Sequence, residues 1–320
     1  MKPKVVVIVG PTASGKTAIS IELAKKINGE IISSDSMQIY KDMDIGTAKV
    51  TKEEAEGIKH YLIDCVSPDE RYTVSDFKKD AENAIKEILN KGKTPIVVGG
   101  TGLYVNSLIY GIEYQDMNFD EKYRNELMKK AETEKGLKEL WDEANAIDPE
   151  AMIKISRNDK KRIIRVLEIY KATGKTKTEQ EILSRQNDIK YDYKVFGITM
   201  NREKLYTKIN RRVDIMIEKG LEDEVKNLVS KYTKFPTAMQ GLGYKEVVEY
   251  FDGILTREEM IEKIKQESRR YAKRQLTWFR KNKETIWLDS ENDMEENINI
   301  ILEELLWKKH KKKVKVIKLY

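Results

Sequence analysis

The stretch Gly10-Pro11-Thr12-Ala13-Ser14-Gly15-Lys16-Thr17 has the spacing G-x-x-x-x-G-K-[ST], and its flanks decide how it reads. Before it lies a β-branched run, Lys4 to Val9, and after it Ile19, Leu23 and Ile27 recur at helical spacing. The first pattern suits a strand buried on both faces and the second suits one face of a helix. Strand, tight loop and helix start therefore coincide. In that arrangement the loop's N–H groups and the helix N-terminus converge on one anion, Lys16 adds a point charge, and the Thr17 hydroxyl can ligate Mg²⁺. The eight residues are thus the candidate diphosphate-binding set, and the expected ligand carries a di- or triphosphate.

The chain has 320 residues, long enough for one large or two small domains. Charged residues make up 36% and hydrophobic residues 40%, and no apolar stretch approaches the ~20 residues of a membrane span. Met1-Lys2-Pro3-Lys4 runs straight into the first strand and leaves no room for a targeting peptide, so a cytoplasmic protein is expected. A single cysteine, Cys65, closes an apolar run and reads as a small packing residue. With one Cys and two His there is no zinc cluster. The net charge of +6 arises from 60 basic and 54 acidic residues, which mostly interleave. Basic residues still cluster at Lys160-Lys161-Arg162 with Arg165, at Arg211-Arg212, between Arg269 and Lys281, and from Lys308 to Lys318. Each cluster is either a polyanion footprint or a solvated helix face.

Short apolar runs at Lys4 to Val9, Glu30 to Ile32, Tyr61 to Ile63, Pro95 to Val98, Val195 to Thr199 and Ile286 to Leu288 alternate with helical patterns. Such alternation implies crossover units and a parallel sheet, an α/β fold of the P-loop NTPase type flanked by helices. A helix over Val74 to Asn90 is marked by a capping box at Thr73 to Asp76 and by Gly92 beyond its end. Between Tyr114 and Asp192 no run reads as a strand, and Asp148-Pro149 marks a turn. The expected organisation is a core of residues 1–113 and 193–307, an all-helical insertion at 114–192, and a basic tail at 308–320.

Ligands of parallel sheets gather at the carboxyl ends of the strands. The second strand runs into Ser33-Ser34-Asp35-Ser36-Met37-Gln38, where Asp35 is either a general base facing the phosphate loop or a cap of the next turn. The fourth ends in Gly99-Gly100-Thr101-Gly102, which is either a close approach of backbone to ligand, with the Thr101 hydroxyl beside it, or a plain turn. Of Arg211 and Arg212, at most one can face a site, where it would stabilise leaving-group charge.

Several segments together resemble the tRNA dimethylallyltransferase family. They are residues 10–17 above, Ser34-Asp35-Ser36-Met37-Gln38-Ile39-Tyr40, Asp42 to Lys49, Val98 to Tyr104, Gly241-Leu242-Gly243-Tyr244-Lys245, and Ala272 to Arg280. The resemblance spans about 280 residues in order and lacks the carboxyl-terminal zinc finger of eukaryotic members, which suggests the bacterial type. It implies transfer of a dimethylallyl group from its diphosphate to N6 of the adenosine at tRNA position 37, beside the anticodon. Asp35, Lys16, Thr17, Thr101 and Arg212 would carry the chemistry, with Mg²⁺ at Thr17. Contacts to tRNA would come from Asp35, Ser36, Met37, Gln38, Thr101, Arg124, Lys161, Arg162, Ile163, Ile164, Arg165, Gln240, Gly241, Leu242, Gly243, Tyr244 and Lys245. The helical insertion would grip the anticodon stem-loop. The expected partners are tRNA and dimethylallyl diphosphate, with no membrane, and the protein is expected to act as a monomer.

Three other readings compete. A small-molecule kinase would use the same loop on ATP, a related prenyltransferase would act on free adenine nucleotides, and an RNA-binding module would need no chemistry. The only strand-end carboxylates suited to nucleotide hydrolysis are Asp64 and Asp35.

Overall fold

The computed structural model describes residues 2–113, 120–185 and 188–314, with side chains to residue 306. Among the described residues, six strands form one parallel sheet: β1 (Lys4–Val9), β2 (Gly29–Ser33), β3 (His60–Tyr61), β4 (Thr94–Gly99), β5 (Asp192–Thr199) and β6 (Ile286–Asp289). They lie in the order β3-β2-β4-β1-β5-β6; five fall on apolar runs that the sequence marks, whereas β3 shares only Tyr61 with the run Tyr61 to Ile63, because Leu62 turns out of the strand with φ 61°. Val5 to Val9 are all wholly buried, as a central strand covered on both faces must be.

Alternation along β1 sets the two layers, because successive side chains point to opposite faces. Val5, Val7 and Val9 join one core with the helical residues Phe77, Ala81, Ile85 and Ile88 and with Tyr104, Val105 and Leu108. Val6 and Ile8 join the other with Ile19, Leu23 and Ala24 and with Ile298 and Ile301. The helices are α1 (Lys16–Ile27), α2 (Lys52–Ala55), α3 (Val74–Asn90), α4 (Gly102–Ile109), α5 (Glu121–Lys130), α6 (Glu134–Ile147), α7 (Pro149–Met152), α8 (Lys160–Thr173), α9 (Lys177–Ser184), α10 (Arg202–Glu218), α11 (Leu221–Lys231), α12 (Tyr244–Phe251), α13 (Arg257–Phe279) and α14 (Met294–Val314). Helix α3 has the expected bounds, and its Thr73–Asp76 capping box is formed in both directions. No helix among the described residues is long and apolar enough to cross a membrane.

The chain divides into two compact units, Met1–Ile109 with Lys190–Tyr320, and Tyr110–Ile189. Besides its two sheet-covering layers, the first unit holds a third core in which Ile39, Tyr40 and Met43 meet Val213, Leu221, Val225, Tyr244 and Ile264. The described part of the second unit is helical and has its own core of Leu127, Leu140, Ala144, Ile163, Ile164 and Leu167. The basic tail at 308–320 lies beyond the described side chains.

Two sequence expectations change. Asp148-Pro149 is a helix start, not just a turn: Pro149 occupies the first position of α7, and Asp148 Oδ1 accepts from Ala151 N at 3.0 Å. Buried Asp148 also accepts from the Thr178 amide at 2.8 Å and its hydroxyl at 2.7 Å. Cys65 is exposed instead of packed, because it follows the two-residue edge strand β3, where the chain has already left the sheet.

Candidate active site

Three strand-end loops converge because β4 lies between β1 and β2. The loop after β4 is therefore flanked by the phosphate loop and by the Asp35 segment. Thr101 ties it to the latter: its N–H donates to Ser34 O at 3.3 Å, and its hydroxyl oxygen accepts from Ser36 N at 3.0 Å. Gln275 of α13 ties it to the former. Its Oε1 accepts from Thr12 N at 2.9 Å and its Nε2 donates to Gly100 O at 3.0 Å. A Cβ on Gly100 would stand 2.1 Å from that Nε2, so only glycine admits the amide. Gln275 lies within a quoted motif, yet sequence reasoning assigned it no role. The available signal was a lone amide on the buried stripe Ile264, Ser268, Ala272, Gln275, Phe279.

A cavity of about 370 Å³ opens beside these loops, lined by Thr12, Lys16 and Thr17, by Asp35 to Gln38, by Arg212, and by Tyr271, Arg274 and Gln275 of α13. Val213, Met216, Ile264 and Leu242 supply an apolar wall. Lys16 Nζ donates to Pro11 O at 2.7 Å. Burial, and then the neighbouring Arg212 charge, bring its pKa down to about 7, with Asp35 opposing. Burial also lowers the pKa of Arg212, against the charges of Asp35 and Glu54. A pocket that desolvates two cations beside a single carboxylate is set to receive an anion. The Tyr271 phenol is pushed up to about 12, by burial first and the Asp35 charge second, so it remains a neutral donor. Asp35 Oδ1 accepts from Met37 N at 2.9 Å and Gln38 N at 3.4 Å, so the capping role is real, and the residue lines the cavity as well.

Arg212 turns into the cavity while its neighbour Arg211 is exposed. Gly10, Pro11, Ala13, Ser14 and Gly15 form the loop that delivers Thr12, Lys16 and Thr17. Gln240, Gly241, Leu242 and Tyr244 border the same cavity, whereas Lys245 is exposed and pairs with Glu249 at 3.6 Å. Tyr244 offers no free hydroxyl, since it donates to Glu224 Oε1 at 2.6 Å. Gly243 caps α12 with φ 97°.

In the second unit, Lys161 and Arg162 of α8 are exposed and Arg165 is half-exposed. Ile163 and Ile164 are not surface residues. They are buried in that unit's core, because two of five consecutive helical positions must face inward, and their side chains cannot meet RNA. Arg124 and Arg165 both approach the buried Glu168 carboxylate, at 3.3 and 3.6 Å.

Fold and site together define an α/β protein in which the G-x-x-x-x-G-K-T loop and two desolvated cations open onto a strand-end cavity with an apolar wall. The sequence profile of the family described as IPP transferase matches residues 38–282, and the chain belongs to that family. It is 53% identical, over 92% of its length and 94% of the relative's, to the tRNA dimethylallyltransferase of Acetivibrio thermocellus. To the enzyme of that name from Anoxybacillus flavithermus it is 47% identical over 97% and 98%. The solved structure of the full-length tRNA isopentenylpyrophosphate transferase of Bacillus halodurans is similar, with a TM-score of 0.71 and 44% identity over 98% of this chain and 99% of that one. A eukaryotic dimethylallyltransferase acting on tRNA matches with a TM-score of 0.77 and 32% identity, over 95% and 79%.

Proposed function

We propose that this protein transfers the dimethylallyl group of dimethylallyl diphosphate to N6 of adenosine 37 in tRNA. The observation that carries the reading is a cavity in which the phosphate loop, a carboxylate, an inward arginine and an apolar wall meet. The loop holds the diphosphate, and the apolar wall takes the five-carbon chain. As N6 attacks C1 of the donor, the C1–O bond breaks and its electron pair leaves on the diphosphate, where Lys16 and Arg212 meet the growing charge. Asp35 takes the N6 proton through the oxygen that does not cap the turn. Thr101 acts through Ser36, holding the Asp35 segment in place. The adenine reaches the cavity by leaving the anticodon-loop stack, and bases in RNA loops splay most readily.

The site fits Mg²⁺ as an ion carried largely by the diphosphate. Thr17 is exposed at the cavity, and the described residues contain no cluster of three or more His, Cys, Asp or Glu side chains that could hold a metal. When bound, the ion supplies positive charge against the departing diphosphate. The exposed cations of α8, with Arg124, bind phosphates of the anticodon stem-loop. We further read the protein as a cytoplasmic monomer.

The kinase alternative asks for a second free strand-end carboxylate. Asp64 is instead ion-paired with Lys49, which also pairs with Asp44 at 2.5 Å. The deciding assay offers labelled dimethylallyl diphosphate or ATP together with tRNA or AMP. Label is expected to move only from dimethylallyl diphosphate to tRNA. Transfer from ATP, or to AMP, would sink the reading.

A further inference from the structure

Glu224, in the first turn of α11, does not line the cavity, yet its carboxylate accepts four hydrogen bonds. Its Oε2 accepts from Asp44 N at 2.8 Å and Ile45 N at 2.7 Å, and its Oε1 from Gly46 N at 3.1 Å and the Tyr244 hydroxyl at 2.6 Å. Three successive amides turned to one point form a nest, a concavity that recruits an anion. Here the chain supplies that anion itself. Gly46 lies so close to the Tyr244 ring that a Cβ would stand 2.6 Å from it, so the loop and the ring are fixed together.

The residues just after the nest reach the cavity. Thr47 O accepts from Arg212 Nη2 at 3.4 Å and from Gln38 Nε2 at 3.3 Å, and Ala48 O accepts from Gln38 Nε2 at 3.4 Å. Arg212 Nε is buried and has no hydrogen-bond partner among the described residues. One edge of the guanidinium thus leans on the loop, and another is left for a ligand. We propose that Glu224 is a positioning residue for the transfer reaction: by filling the nest at Asp44–Gly46 it fixes the Thr47 carbonyl that aims Arg212 at the diphosphate. This rests on the reading above that the diphosphate lies against Arg212.

Glu224→Gln is the informative change, because an amide cannot accept at both ends and would set N–H against N–H in the nest. Calorimetry with pyrophosphate should show binding weakened on the order of tenfold, the usual size of coupling between linked sites. The KM for dimethylallyl diphosphate should rise in step. In an Arg212→Gln background the same change should weaken pyrophosphate binding by less than half as much in logarithmic terms. A merely structural carboxylate would lower the melting temperature and act equally in both backgrounds, and that additive result overturns the proposal. Should Glu224→Gln fail to fold, Tyr244→Phe removes one of the four bonds and runs the same cycle with a smaller expected effect. If the unaltered chain binds pyrophosphate but does not modify tRNA, only the acceptor assignment falls. If it does not bind pyrophosphate, both fall.

Discussion

Asp35 caps a turn through one oxygen, and under the proposed mechanism it takes the N6 proton on the other, so the substitutions that separate the two roles are specific. Asp35→Asn keeps an acceptor for the Met37 and Gln38 amides and loses the ability to take a proton. It should leave pyrophosphate affinity and melting temperature nearly unchanged and cut turnover by ~10² or more, and full turnover would reduce Asp35 to a cap. Lys16 makes a different trade. Its pKa is 10.5 when unfolded and about 7 in the fold, so below pH 7 it is charged in both states and the whole cost of burying the ammonium weighs on the folded protein. That cost fades as pH rises from 7 to 10.5, where the folded lysine is neutral. A shift of this size corresponds to on the order of 5 kcal/mol as an upper figure. Lys16→Met should therefore raise the melting temperature of the ligand-free protein at pH 6.5 while abolishing catalysis, and the gain should shrink by pH 10. A gain independent of pH would mean that the ammonium is not what burdens the fold. Residues of this kind were legible because a loop motif fixes their place beside a strand end. Gln275 and Glu224 were not, since each acts on backbone far away in sequence, Gln275 across 263 positions to Thr12.

Helix α13 is the element that locks the site. Its buried stripe carries Gln275 to the junction of the phosphate loop and the Gly99–Gly102 segment, a contact that no local spacing in the sequence announces. Gln275→Leu would bury Thr12 N and Gly100 O without their partner, at a cost of ~1–3 kcal/mol. Both the melting temperature and pyrophosphate affinity should fall, and unaltered affinity in a destabilised variant would make the amide purely structural. Helix α8 tests the RNA side. Lys161→Ala with Arg165→Ala should weaken tRNA binding and reduce the slope of log K against log salt by about 0.7–0.9 for each lost phosphate contact, with donor affinity unchanged. An unchanged slope would return these cations to the role of a solvated face. The strands and α3 were readable in the sequence because their period and caps are local. Asp148-Pro149 reads as a turn because an Asp-Pro pair suits a turn and a helix start alike, and the inward turn of Ile163 and Ile164 is obscured because a contiguous motif does not separate the two faces of a helix.

At the scale of the molecule, the second unit is inserted between α4 and β5, and β5 pairs with β1 in register from Lys4↔Asp192 to Val9↔Gly197. The sheet is thus complete without any residue of the insertion. Both cores that cover it, and the one around Tyr244, draw their buried residues from the first unit alone. All residues lining the cavity belong to that unit too. Replacing 110–189 with a short Gly/Ser bridge should therefore leave a folded protein that binds pyrophosphate with near-normal affinity, since the anion site loses none of its contacts. The same protein should bind tRNA weakly and modify it far more slowly, having lost Arg124 and the cations of α8. Calorimetry with pyrophosphate and a filter-binding assay with tRNA read the two halves separately. A folded truncation that still prenylates tRNA at the full rate would show that the anticodon arm is held by the first unit, and loss of pyrophosphate binding in a folded truncation would show that the phosphate loop depends on the insertion after all.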